Sequence, residues 1–524
     1  MKKHIRLALI LIAVSLVYTC PAASEDTITI TAGSRIFLDL PVLAPWRSTS
    51  NPAALSTFST GNLSIAQAGY SVKKDDIRLY IQPEKTTSFY AGTEGYMQLG
   101  KLSFFGSFGY QNNRYEGVLY NSTMMFNNLN PYIVGDTVPD TQTKEGFDLT
   151  GQASLRLNQR LILAVGVDYS SALGAKQKDP RHKNTMAALR ITPGLIYNLG
   201  KIKVGINGSL YTSSNEILFL VEGNWKRDLF ILQGLGYYKD EPEITSYSEL
   251  YSGNGYSAGI QASYESGDIV NAVELLFNQV KEEARSGSSF RLIDGIATTN
   301  SFSFSDLLRI SRSNRLHIFT LRGTLSGLSG DEVLQRMYTV RKPDYSYDSL
   351  ATINWIKNKH LISDISVTAG YRYTILEGKD DIKGEMGGNI TFGYYSSGHY
   401  PLQSYGKMET KNLALEAFVN RLFFAGKNLR ITPAAELLYR KTIGSDLVYT
   451  EQTQSIPEMI YSDYNILSSD IIRGAISLRV EKIIAGKTLR SLYFIPWFDY
   501  SRSTADSPEK LTNYFFDAAI GLTF

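Results

Sequence analysis

Three features of this 524-residue sequence predict an all-β fold, a transmembrane antiparallel β-barrel. The first is apolar/polar alternation, repeated in segment after segment. The second is asymmetry of the connections, which are very short at one end of the hairpins and long and polar at the other. The third is composition: 34 Tyr, 24 Phe and 43 Gly, with a net charge of only +3. So many aromatics suit the two girdles that flank a membrane band, and so small a charge leaves no footprint for nucleic acid.

The last strand shows the alternation most plainly. Tyr514, Phe516, Ala518, Ile520, Leu522 and Phe524 share one face, and Asn513, Phe515, Asp517, Ala519, Gly521 and Thr523 share the other. Lipid on one side and a polar lumen on the other asks for this pattern. The aromatic ending resembles the C-terminal signal of Gram-negative outer-membrane barrels. That resemblance implies that Phe524 is read by the barrel-assembly machinery and that outer-membrane lipid surrounds the wall.

From the N-terminus, Met1–Ser24 reads as a secretory signal. Lys2, Lys3 and Arg6 form its basic start, Leu7–Val17 its apolar run, and Ala22-Ala23-Ser24 its small-residue cleavage site. Cys20, the one cysteine, falls within it, so the expected mature chain has no disulfide. No other run approaches the roughly 18 apolar residues of a membrane helix.

Residues 25–61 precede the repeating strands and are expected to form a periplasmic or luminal segment. Asp26–Ala32 looks like the short box with which TonB-dependent transporters recruit their energy source, although no length remains for the large plug of those proteins. Asn51-Pro52-Ala53, followed by Leu55, resembles the Asn-Pro-Ala element of the long-chain fatty-acid transporter (FadL-type) barrels and of related secretion shuttles. The resemblance implies that Asn51, Pro52 and Ala53 belong to a small luminal hatch or gate, and it implies 14 strands. By themselves these residues spell a turn start. The chain also resembles uncharacterised outer-membrane barrel families of similar length.

Residues 62–524 form the expected barrel. Ile202, Val204, Ile206 and Leu210 oppose Lys203, Asn207 and Ser209; Ile365, Val367, Ala369 and Tyr371 oppose Ser366, Thr368 and Arg372. The alternation runs for about 10–12 residues at a time, the length a tilted membrane strand requires. Leu99-Gly100-Lys101, Leu199-Gly200-Lys201, Ala425-Gly426-Lys427 and Ala485-Gly486-Lys487 read as short periplasmic turns with Gly supplying positive φ. Leu157–Arg160, Ser313–Arg315 and Lys357-Asn358-Lys359 read as turns built on Asn. Long extracellular loops are expected over 112–146, 171–185, 239–254, 282–299, 327–346, 375–409 and 441–469. The even strand number falls between 14 and 20. Pro193 and Pro433, each inside a strand without an N–H to donate, are candidate kinks; the fatty-acid-transporter resemblance implies that such a kink opens a lateral exit.

Residues for chemistry are few. The five histidines show no metal-ligand spacing, no local catalytic signature is present, and Asp380-Asp381 is a single acidic pair. The sequence calls for no cofactor and no enzyme. Loop 112–146, with Tyr120, Met124, Met125, Phe126 and Tyr132, is either a surface patch or folds into the mouth. The sequence reading is passive uptake of a small hydrophobic or amphipathic molecule. The alternative is a barrel that does not transport and acts as partner, anchor or shuttle in a surface or secretion complex, meeting a protein partner through its extracellular loops.

Overall fold

The computed structural model describes residues 44–57, 62–126, 130–222, 227–287, 291–343, 346–377, 381–400, 405–484, 489–504 and 511–524. The expected leader, Glu25–Leu43, the Gly486 turn and Asp380 lie outside the described residues, as does the Asp381 side chain.

Eighteen antiparallel strands close into a barrel. Each pairs with its neighbour in sequence along the wall, apart from three short strands that leave it. Closure is made by Leu63–Asp75 against Thr512–Thr523, in register from Ile65↔Thr523 to Asp75↔Asn513. Ser64 and Phe524 exchange both backbone hydrogen bonds, at 2.8 and 2.9 Å. Eighteen lies within the predicted range and departs from the fourteen that the fatty-acid-transporter resemblance implies. Strand faces follow the alternation: Ile202, Val204, Ile206 and Leu210 are exposed outward, while Asn207 and Ser209 are buried inward.

The short turns fall at one end of the barrel. Gly100, Gly200 and Gly426 take positive φ of 59°, 91° and 88°, as the turns require. Asn158 turns the chain differently, its side-chain oxygen accepting from the N–H groups of Arg160 and Leu161. Ser266–Ile269 is a further short turn without a predicted counterpart.

Two sequence expectations need correction at the other end. Lys357-Asn358-Lys359 is not a turn. It is a bulge inside the strand Ser346–Glu377, where the register passes from Gly330↔His360 to Glu332↔Ile356. Asn358 does take positive φ, 53°, but the chain bends there and does not reverse. Much of the predicted loop length is also strand. Ser246–Ser266, Ile269–Ser286, Leu292–Arg312 and Arg315–Arg341 run on through 239–254, 282–299 and 327–346, and 375–409 contains the strand Asp381–His399. Beyond the membrane both faces of the sheet meet water or folded loops. The apolar alternation therefore lapses while the hydrogen-bond ladder continues.

Phe524 stands at the seam, its side chain outward. Deleting Phe524 should lower the amount of folded, heat-modifiable barrel in outer membranes several-fold. The same protein refolded in detergent should lose little stability, because the remaining seam pairs are kept. Gel mobility with and without heating reads both.

Candidate functional site

Two structures built by the chain itself occupy the lumen. At the long-loop end there is a folded cap. Tyr132–Gly135, Arg227–Gln233 and Tyr238–Ile244 form a separate three-stranded sheet. Tyr132, Val134, Leu229, Ile231 and Ile244 pack on Ile217, Phe219, Tyr251 and Ala284 of the inner wall. Across the mouth, Tyr237 stacks on His399 at 4.4 Å, and the helix Pro457–Leu467 buries Met459 and Ile460 beneath the sheet. The loop with Met124 folds inward. Asn184 and Asn215 of the wall donate to the carbonyls of Ser122 and Thr123, and Lys176 pairs with Asp136 at 2.6 Å, both side chains nearly inaccessible. Of the two sequence readings of this loop, the structure shows the inward one.

The helix is tied to the first hairpin connection through Asp463, whose carboxylate accepts from the Tyr80 N–H at 2.7 Å. Burial pushes the Asp463 carboxyl up to about 7, against the opposing pull of that bond and of Arg78. A carboxyl whose pKa is raised by docking favours the docked state below its ordinary value of 3.8, and that advantage is lost as pH rises through about 7.

At the short-turn end, residues 44–57 lie inside the wall. Asn51 caps a short 3-10 turn, Pro52–Ser56, with Pro in the first position where its missing N–H costs nothing. The Asn51 amide donates to Leu195 O and Ile206 O, both at 3.1 Å, and to Gln261 Oε1 at 2.9 Å. Two wall glycines make room: a Cβ on Gly194 would lie 2.3 Å from Asn51 Oδ1, and one on Gly205 would lie 2.9 Å from its Nδ2. Trp46 donates to Ser263, Ser50 to Glu274, and Arg47 to Tyr96 while lying over the Tyr96 and Phe105 rings. Residues 44–57 thus line the wall from Lys85–Leu99 round to Ile269–Ser286.

Pro193 lies beside this anchor. Pairing of its strand with Ile202–Leu220 lapses between Ile191↔Leu210 and Gly194↔Asn207, and Asn51 reaches the adjoining carbonyls. The opposite sector of the wall carries a charged inner face: Arg372 with Glu385, Asn389 with Glu416, and Arg473 with Asp499. Pro433 lies in that sector. Its strand, Leu429–Tyr449, pairs with Gly406–Arg421 only from Ala434 onward. One strand further, pairing of Ile471–Ile483 with Ser491–Ser503 skips from Ser477↔Trp497 to Val480↔Phe494, at Pro496. A cavity of about 580 Å³ opens there on the outer face, lined by Val419, Phe423, Pro433, Ile476, Leu478 and Pro496 among others.

Sequence reasoning placed Asn51, Pro52, Ala53, Pro193 and Pro433 without their partners. It missed Pro496, although Ile495-Pro496-Trp497 inside an alternating run carries the same signal as Pro433. It also missed the projecting hairpin above the bulge, where Leu334, Met337, Tyr338, Leu350, Ile353 and Trp355 are exposed.

A model described as a family of unknown function (DUF6850) matches residues 52–524. No curated protein sequence matches the chain. Among solved structures, the outer membrane transporter YddB from Escherichia coli is similar at 8% identity and a TM-score of 0.38, over 88% of this chain and 80% of that one. The RagAB peptide transporter aligns at 8% identity and a TM-score of 0.40, over 90% and 87% of the two chains. The siderophore receptor PiuA from Acinetobacter baumannii gives 8% and 0.39, over 88% and 82%. Similarity this low carries no functional inference.

Two outcomes follow from the geometry. Asn51→Leu should strand two backbone carbonyls and Gln261, at a cost of about 1–3 kcal/mol per orphaned group. It should release residues 44–57 to protease from the short-turn side, with the barrel left folded. Hydrogen exchange of the helix Pro457–Leu467 should slow as pH falls from 8 towards 4, after correction for the intrinsic rate, and Asp463→Asn should remove that dependence.

Proposed function

We propose that this chain, which belongs to the DUF6850 family of unknown function, is an outer-membrane transport barrel. In this reading it passes a small amphipathic or hydrophobic molecule by a gated route. The supporting observation is the paired lapse in the hydrogen-bond ladder at Pro433 and Pro496, beside an apolar cavity of about 580 Å³ in a wall that is otherwise laddered almost throughout. In hydrocarbon an unmade backbone bond is costly, so a wall loosened on both sides of one strand pair, Leu429–Tyr449 with Ile471–Ile483, calls for a reason. An apolar tail leaving sideways into lipid supplies one.

The inner face suits the same cargo. The polar head travels past the Arg372–Glu385 and Arg473–Asp499 pairs, in the sector away from residues 44–57. An eighteen-stranded barrel is wide enough to leave a channel, so the cap and residues 44–57 act as its gates. Asn51, Pro52 and Ala53 hold the lower gate in its closed position.

The second reading, a barrel that serves a surface partner, is favoured by the projecting hairpin. Ile353 is 59% exposed and Leu334 55%, beyond the membrane where apolar side chains face water.

The refolded protein should show no steady conductance in a planar bilayer, and removing residues 44–57 should raise the frequency of opening. Proteoliposomes should take up a fluorescent fatty acid faster than empty vesicles. Ala435→Trp, which fills the outer cavity, should slow that uptake without touching conductance. Equal uptake by protein-containing and empty vesicles would sink the transport reading. If uptake by cells, and not by proteoliposomes, depends on the hairpin Val333–Trp355, the partner reading gains.

A further inference from the structure

The lipid-facing wall carries a polar pair that neither the barrel nor the transport reading uses. Phe302, Phe304, Asp306, Leu308 and Ile310 are five successive outward positions on Leu292–Arg312. Asp306 is the middle one. Its cross-strand partners are Val273 and Leu321, on the same outer face. Asn271, next outward residue after Val273 on the neighbouring strand, donates a hydrogen bond to Asp306 Oδ1. The face assignment is independent of this pair, because Phe302, Phe319, Leu321 and Phe277 around it are all exposed outward.

A carboxylate in the middle of an apolar face is costly in hydrocarbon, and one amide N–H satisfies only part of it. A carboxylate has room for about four donors, and the other N–H of the Asn271 amide makes only a long bond, 3.4 Å, to Leu307 O, so both groups retain capacity after their mutual bond. Gly323, an outward position opposite Phe304, leaves room beside them: a Cβ there would meet nothing nearer than Ser366 O at 4.0 Å. The missing group must be a donor presented from within the membrane at the same depth.

We infer that the occupant is a second copy of this chain. Two barrels in one membrane are related by a two-fold axis along the membrane normal, and an isologous contact brings the same patch of each together at the same depth. Around such an axis, Asn271 of each copy exchanges its long bond to Leu307 O for one to Asp306 of the other. The pair is self-complementary, and nothing but this chain's own residues is needed to satisfy it. Gly323 permits the close approach. The interface lies away from the Pro433–Pro496 cavity, so each copy keeps its lateral route. The inference rests on the barrel and stands whether or not that route carries cargo.

The test uses the full chain in outer membranes, in a Cys20→Ser background, with Val273→Cys as the only thiol. A short bis-maleimide should yield a band of twice the monomer mass. Asp306→Leu and Asn271→Val should each reduce that band several-fold, and Asp306→Asn, which keeps an acceptor and a donor, should retain most of it. Heat-modifiable mobility shows that each variant is folded; should Asp306→Leu fail that check, Asn271→Val carries the comparison. A monomer band alone from the folded protein overturns the proposal. So does a cross-link to a different protein, or a dimer band indifferent to both substitutions. Uptake of the fluorescent fatty acid is measured on the same samples, which separates failure of the dimer from failure of the transport reading.

Discussion

The backbone hydrogen bond in a solvent that offers no substitute governs this molecule. Inside hydrocarbon every N–H and C=O must find its partner within the chain, and a sheet can achieve that only by closing on itself. Closure is made by the first and last strands, Leu63–Asp75 and Thr512–Thr523. The alternation, the girdles and the short turns are consequences, since a closed ladder fixes which residue of each pair meets lipid and which meets the lumen.

The same constraint gives the prolines their meaning. Each removes one donor from the ladder, and the chain answers in two ways. At Pro193 the lapse faces inward, and a polar side chain from elsewhere, Asn51, is seated against the carbonyls beside it. At Pro433 and Pro496 two lapses flank a pair of laddered strands, Leu429–Tyr449 and Ile471–Ile483, and an apolar cavity remains on the lipid side. The first interruption helps to hold a segment in place, and the second leaves the wall locally weak. A sequence records only that a proline stands in a strand, and both kinds look alike there.

Much of the fold was legible for the reason that makes it stable. Lipid-facing positions must be apolar, so the period of two is written wherever the strand is in the membrane, as at Ile202–Leu210. Beyond the membrane that pressure ends. The strands around 239–254, 282–299 and 327–346 look like loops in sequence because their outer faces are wet. Asn358, with the positive φ of a turn residue, sits in a bulge because the strand it interrupts keeps its partner on both sides. The site was less legible still. Asn51 could be singled out, but its acceptors are backbone carbonyls of Leu195 and Ile206, and a carbonyl has no letter in a sequence. Gly194 and Gly205, which make the seat, are two glycines among many.

Eighteen strands enclose more space than the wall's own side chains can fill. The chain closes that space with two pieces. The cap is broad and apolar inside, with a hydrophobic core shared with the wall and a buried Lys176–Asp136 pair. Opening it means exposing that core and separating two desolvated charges. Residues 44–57 are held by hydrogen bonds to polar wall groups, through Trp46, Arg47, Ser50 and Asn51, and by apolar packing of Trp46, Ala53 and Ala54 with Ile162 and Ile196 and of Leu55 with Leu63 and Ile65. Water can replace those hydrogen bonds, but withdrawing Trp46 and Leu55 from the wall exposes apolar surface, as opening the cap does. Both pieces are thus seated on apolar and polar contacts together, and what sets the cap apart is its desolvated ion pair, whose two charges must be separated when it opens.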